Sequence, residues 1–280
     1  MVEAAHPIVA EGGMRRVIVC ADDFAFNQSV SLAMAKLAQM GRISAISAMV
    51  LSPRWAQDVA LLQAVRGQVD VGLHLDWTSA FAVAAGHGLS LGQGMRRSLL
   101  GGFGPRQARQ VIAQQLDLFE RHWQAPPDYV DGHQHVQQFA GIREALVDVL
   151  RQRYGQLAEQ PYLRISRAPV GLADMKSRII AWMGADALEK EACKAGIPRA
   201  GDLFGIYNFE GDTQRYADLM RYWLDHASTG SILMCHPAVD TEPNDEIGVA
   251  RVQEFAYLAS AEFEDALSLA KVQIARGCDT

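Results

Sequence analysis

Arg16-Val17-Ile18-Val19-Cys20-Ala21-Asp22-Asp23-Phe24 is the stretch on which the fold turns. From Val17 to Ala21 it is continuously apolar and too short for a helix, the pattern of a strand covered on both faces, as in parallel sheets. It ends on two aspartates. From Asn27 onward Val30, Ala33, Met34, Leu37 and Ala38 fall at helical spacing, and Gly41 stands where a C-cap glycine belongs. The unit is strand, loop, helix.

Working outward, the same alternation repeats. Residues 44–50 read as a strand, 55–65 as a helix behind Pro53, and 69–75 as another strand. Residues 76–105 carry seven glycines between Gly86 and Gly104 and are too long for a routine connection, which predicts a lid or insertion. Helical spacing covers 107–123, 142–153 and 214–226, and strands are expected at 129–132, 162–166 and 231–235. Residues 168–211 read as irregular around a helix near 186–195, and a last helical stretch runs from about 251 to 276. No linker, repeat or composition break divides the chain. The expectation is one α/β domain over 15–280, a (β/α) barrel-like, TIM-like fold with two irregular insertions, behind a disordered tail at 1–14.

Composition agrees and narrows the partners. The 280 residues are about twice a usual domain of roughly 150, a length that also suits one α/β barrel with insertions. With 49% hydrophobic and 21% charged residues the chain is an ordinary globular one, not a disordered one. Its 26 basic against 32 acidic residues, a net charge of −6, argue against a nucleic-acid partner. No apolar run approaches the ~20 residues that span a bilayer, and no basic-then-apolar leader opens the chain. Cys20, Cys193, Cys235 and Cys278 are far apart and suggest neither a zinc knuckle nor a disulfide framework, which makes a reducing cytoplasm the expected setting.

The chemistry is concentrated at strand ends. Asp22 and Asp23 close the first strand, His74 the third, Asp131 with His133 and His135 the fourth, Arg164 the next and His236 the last. In α/β folds the loops beyond the carboxyl ends of parallel strands converge over one mouth, so residues spread over more than 200 positions can meet there. Each has a plainer reading: an Asp pair as turn and N-cap chemistry, a lone buried His74 as a satisfied core histidine, and His236-Pro237 as a strand terminator. Asp131-Gly132-His133-Gln134-His135 is the sharpest local signal, since an extended backbone would put its three ionisable side chains on one side, where they cannot be buried cheaply without partners or a metal. One carboxylate with two imidazoles can hold a divalent ion and leave positions for water and substrate. His122 and His226 fit helix C-terminal caps better, and Cys20 and Cys235 fit small core residues. No nucleophile elbow, phosphate loop or dinucleotide fingerprint is present.

The motifs Ala21-Asp22-Asp23-Phe24, Val71-Gly72-Leu73-His74-Leu75, Asp131-Gly132-His133-Gln134-His135-Val136, Leu163-Arg164-Ile165 and Met234-Cys235-His236-Pro237, in this order, resemble the YdjC-like carbohydrate deacetylases over roughly residues 15 to 260. That family resembles the NodB-type deacetylases in chemistry. The resemblance implies a barrel-like fold and removal of acetyl from N-acetylated sugars such as chitooligosaccharides. It implies that Asp23, His74 and His133 hold one divalent cation (Zn2+ or Mg2+, imidazoles suiting Zn2+ better) and that Asp22 is the general base. His236 would protonate the leaving amine or steady the oxyanion, and Arg164 would orient a carboxylate. His135 would contact substrate or support the site, Asp131 would orient a histidine, and a homodimer is expected. Arg251 and Glu254 echo a softer R-x-x-E pattern. Two positions depart from the family: Ala25 where glycine is usual, and Gln137 where a histidine is usual. Hydrolysis of another amide or of a phosphoester, and a non-catalytic sugar-binding relative, are the rival readings.

Overall fold

In the computed structural model, which describes residues 13–280, the opening run forms β1 (Arg15–Phe24), buried throughout from Val17 onward. Asn27 caps α1 (Gln28–Gln39) by accepting from Val30 N at 2.9 Å, and β2 (Ala45–Ala48), α2 (Trp55–Gln63) and β3 (Asp70–Leu75) follow. After α3 (Ala80–Ala84), α4 (Leu91–Leu99) and α5 (Pro105–Trp123) come β4 (Tyr129–Gly132), α6 (Ile142–Tyr154) and β5 (Tyr162–Leu163). Then run α7 (Met175–Trp182), α8 (Ala185–Ala195), β6 (Leu203–Phe204), α9 (Thr213–His226), β7 (Ile232–Cys235), α10 (Gly248–Leu258), α11 (Ala261–Leu269) and β8 (Val272–Ile274).

All named strand pairings are parallel, in the order β5-β4-β3-β2-β1-β7-β6, with β8 joined to the start of β1. The sheet curls. Leu163 N donates to Pro198 O at 2.9 Å and Ala200 N donates to Leu163 O at 3.1 Å, so the β5 edge meets the segment leading into β6. This is a single, barrel-like α/β domain, as the strand alternation predicts.

Period 2 sorts the side chains. Val17, Val19 and Ala21, with Val71, Leu73 and Leu75, pack outward against the helices in one large apolar cluster. Ile18, Cys20, Ala45, Tyr129, Tyr162, Leu203, Ile232 and Met234 form a second, inner cluster. The inner series climbs from apolar to ionisable along each strand: Ile18, Cys20, Asp22; Gly72, His74; Tyr129, Asp131; Tyr162, Arg164; Ile232, Met234, His236.

Several sequence-based expectations need correction. The 76–105 segment is not a bare lid, since it carries α3 and α4, the latter closed by a Ser90–Gln93 capping box. Residues 168–211 hold two helices and the short β6. The final stretch is α10 and α11 broken at Ser260, which caps α11 at Phe263 N, and it ends in β8; its three residues, of which only Val272 is buried, are too few to register as a period. The expected tail at 1–14 lies outside the described residues as far as residue 12. Among the described residues no helix is long and apolar enough to cross a membrane.

Candidate active site

The turn after β1 is unusual. Asp23 and Ala25 both take left-handed backbone angles (φ 76° and 70°), and the β1–β2 register slips between Ala21 and Phe24. Such angles cost a residue with a Cβ about 1–2 kcal/mol, and here they turn the two adjacent carboxylates to different partners. Asp22 receives both arms of Arg164, Nη1 and Nη2 each at 2.7 Å. Asp23 Oδ1 faces His133 Nδ1 at 3.0 Å and His74 Nε2 at 3.3 Å, and its Oδ2 accepts from Arg251 Nη2 at 2.7 Å.

His74 is gripped from behind. Its Nδ1 meets Asp131 Oδ1 at 2.6 Å, which leaves Nε2 to point at Asp23. Asp131 Oδ2 in turn accepts from Ser47 Oγ at 2.5 Å and pairs with Arg164 Nη1 at 2.8 Å. Below this layer Tyr129 OH lies 2.8 Å from Ser47 Oγ and 3.1 Å from Cys20 Sγ. Burial pushes the Cys20 thiol well up, with Asp22 adding to it, so this cysteine is a neutral core residue. Burial likewise pushes the Cys235 thiol well up, with Glu254 adding to it.

The fourth-strand motif is not extended past Gly132. Gln134 and His135 are left-handed (φ 53° and 62°) in a tight turn over His133–Gln138, so the expected one-sided row of Asp131, His133 and His135 is broken. Asp131 faces His74 inside the barrel, His133 swings over to Asp23, and His135 Nδ1 pairs with Ser166 Oγ at 2.9 Å. Gln137, at the position of the family's extra histidine, donates to the same Ser166 Oγ at 2.9 Å and to Arg164 O at 3.2 Å. It is a strut behind the mouth.

His236 leaves β7 with its Nδ1 buried and without a protein partner, while its backbone N–H donates to Glu254 Oε2 at 2.5 Å. Glu254 Oε1 accepts from Tyr207 OH at 2.6 Å. Arg251 and Glu254, only softly marked in the sequence, are thus built into the site. Their signal was available: Arg251, Glu254 and Leu258 occupy the buried face of α10 at i, i+3, i+7, where charged residues do not sit without a partner.

Burial and charge set the protonation. Burial opposes ionisation of Asp22, yet Arg164 and His74 hold its carboxyl well below the usual range. Burial would likewise depress His74, but Asp131 and Asp22 lift it to about 10. Burial, seconded by Arg164, pulls His135 down to about 3, and burial pulls His236 down to about 4 against the pull of Asp23 and Asp22. Burial raises Glu254 to about 7.

Asp22, Asp23, His74, His133, His135, His236 and Arg251 line one cavity of about 880 Å³ at the carboxyl ends of the strands, with Asp131, Arg164 and Glu254 behind them. Asp23, His74 and His133 each offer a donor atom, the three lying within 4.8 Å of one another. The donor set suits a cation on a further count. Asp22, Asp23 and Asp131, with Asp245 behind Arg251, are four carboxylates against two buried guanidiniums, Arg164 and Arg251. A cation held at Asp23 would offset that excess of negative charge.

A barrel-like parallel α/β domain with an Asp-His-His cluster at its mouth is the class of protein that fold and site define. Residues 16–268 match the model of the YdjC-like protein family, and the chain belongs to that family. It is 27% identical over 184 residues to a Mus musculus protein named carbohydrate deacetylase, covering 61% of this chain and 55% of the mouse one, so it spans little more than half that relative's length. In structure it resembles a candidate cellobiose-phosphate cleavage protein of Enterococcus faecalis V583 (TM-score 0.71, 15% identity, 95% of this chain and 98% of that one). It also resembles a family 4 acetyl xylan esterase from Clostridium thermocellum in complex with a cobalt ion (TM-score 0.50, 9% identity, 95% and 89%).

Proposed function

We propose that the chain is a metal-dependent hydrolase that removes the N-acetyl group of an acetylated sugar, with Asp23, His74 and His133 holding one divalent ion. The observation that carries this is the split of the aspartate pair: Asp23 goes to the two histidines and Asp22 to Arg164, on the floor of one cavity. The family, the mouse carbohydrate deacetylase and the cobalt-bound acetyl xylan esterase all support the reading. When bound, the ion supplies Lewis acidity that lowers the pKa of water and polarises the acetyl carbonyl.

The chain's own residues do the rest. Asp131 fixes the His74 tautomer so that Nε2 is free to ligate, and Arg251 holds Asp23 ionised and aimed at the two rings. Asp22, kept ionised and oriented by both arms of Arg164, takes the proton of the attacking water and releases it to the departing nitrogen. His236, neutral at pH 7 because burial depresses it to about 4, presents a ring N–H to the carbonyl oxygen as charge develops there, the second of its two expected roles. Glu254 steadies the His236 backbone.

The phosphoester alternative has less support. Arg164, the arginine the sequence places at a strand end, is already paired with Asp22 and Asp131, and the nearby Arg167 with Asp186 at 2.9 Å and Glu189 at 2.6 Å. The deciding experiment measures acetate release from N-acetylated oligosaccharides by the protein with and without a chelator, and after restoring Zn2+, Mg2+ or Co2+. Activity should vanish on chelation and return with a divalent ion. Full activity after complete metal removal would refute the proposal.

A further inference from the structure

We propose that the substrate is an amphiphile, an acetylated amino sugar bearing an apolar alkyl or aryl group; this rests on the deacetylase reading above and names its substrate class. The buried polar groups of the cavity, Asp22, Asp23 and His74, form its floor, and further polar groups reach it from the turn after β4 (Gln134) and from the loop before α10 (Asn244, Asp245, Glu246). The wall above is apolar and comes from the two segments inserted into the barrel: Leu91 and Met95 from α4, Met175 and Ile179 from α7, and Met183 and Phe209 beyond it.

Helix α7 shows the anomaly most plainly. Asp174 caps it at Ser177 N, and only Ser177 and Ile180 of its side chains are buried. Met175, Ile179 and Met183 stand four residues apart in one row on the cavity side. Met175 is 79% exposed and Ile179 46% exposed. An amphipathic helix normally turns such a row to the core; here the row faces the space above the aspartates. The one cation on this helix that lines the cavity, Lys176, donates to Tyr207 O at 2.5 Å and lies 4.9 Å from the Phe209 ring centroid, so it is turned aside.

Sugar hydroxyls laid on this wall would lose water without finding donors or acceptors, which is costly. An alkyl or aryl group there gains from burial, and thioether side chains adapt to irregular apolar shapes. Floor and wall belong to one continuous cavity, so a single molecule with a polar end and an apolar end fits both.

The test compares the methyl and octyl β-glycosides of N-acetylglucosamine, below the micelle threshold. It uses acetate release by the metal-loaded protein and calorimetric titration of an Asp22→Asn variant. The octyl compound should show a kcat/KM and an affinity at least about ten-fold higher, equivalent to about 1.4 kcal/mol. Met175→Ser and Ile179→Ser, at positions already exposed, should cut that advantage to less than about three-fold, under the ~0.8 kcal/mol of one buried methylene. Equal values with acetate released from both overturn the amphiphile and leave the deacetylase standing. Tighter octyl binding with no acetate from either keeps the apolar ligand and sinks the deacetylase. Equal affinities together with a dimer that Ile179→Lys dissociates in sedimentation assign the row to a second copy of the chain and overturn the proposal.

Discussion

Asp22 and Asp23 are neighbours in the chain that meet different partners, and Asp23 takes a left-handed backbone angle. The proposed base is the more exacting of the two. Asp22→Asn keeps the shape and the contact with one arm of Arg164, and activity should fall by about 10²–10⁴-fold while the affinity for a divalent ion, followed by calorimetry, stays within a few-fold. Arg251 is tied to Asp23 at 2.7 Å and to Asp245 at 2.9 Å, both deeply buried. Replacing it by Met strands buried carboxylates, at a cost of about 3 kcal/mol or more. If a cation shares Asp23, adding one in excess should recover part of that loss, seen as a larger metal-induced rise in Tm for the variant than for the parent. Ala25 at φ 70° carries the strain that a glycine would avoid. Ala25→Gly trades about 1–2 kcal/mol of relief against about 0.5–1 kcal/mol of added freedom in the unfolded chain, so a small gain in the denaturation midpoint is expected.

At the scale of the element, the V-G-L-H-L strand explains its own glycine. A Cβ on Gly72 would lie 2.5 Å from the ring of Tyr129, which stacks on Tyr162 and bonds Ser47. Gly72→Ala should therefore overpack the barrel interior and destabilise by about 1–3 kcal/mol, read from the urea midpoint. This is where legibility divides. The periods of α1, α5, α6 and α9 and the run in β1 stand in the sequence within a few residues of their true ends, because each is long enough to show one face. The strand expected at 162–166 is present as β5 but only over Tyr162–Leu163, whereas β6 and β8, two and three residues long, are too short to carry a period and exist because neighbouring strands supply their hydrogen bonds. The one-sided row of Asp131, His133 and His135 holds only for an extended backbone, and nothing in Gln134-His135 announces two left-handed residues. Arg251 and Glu254 are marked in the sequence by the R-x-x-E pattern, but their partners, Asp23 and Asp245 for Arg251 and Tyr207 with the His236 backbone for Glu254, are fixed only by the packing of α10.

At the scale of the molecule, the two ends of the barrel carry opposite pH behaviour. At the mouth, Asp22 and Asp23 are held well below the usual range, so their pairing is retained until strongly acidic pH. At the other end Asp70 starts β3 and closes the chain: its Oδ2 accepts from Gly277 N at 2.6 Å and Tyr162 OH at 3.1 Å. Burial there lifts Asp70 from 3.8 to about 6, with the nearby Asp128 contributing. A raised value means that the folded chain holds this proton more tightly than the unfolded one. The stabilisation is complete below pH 3.8 and fades as pH rises through about 6. Asp70→Asn can keep both hydrogen bonds without the buried charge. Its stability at pH 7 should exceed the parent's by up to about 3 kcal/mol, the gap closing by pH 4; a gap unchanged across that range would contradict the assignment.

The sequence by itself determined the alternation of strands and helices, the parallel sheet and the ionisable residues at its carboxyl edge, because burial on two faces and helical periodicity are local patterns. Only the tertiary structure decided how those residues divide into partners: Asp23 with two histidines and Arg251, Asp22 with Arg164, His74 backed by Asp131. Those pairings depend on strand register, on left-handed turns and on helices packed from more than 200 residues away, and distances of that kind are set by the curl of the whole sheet.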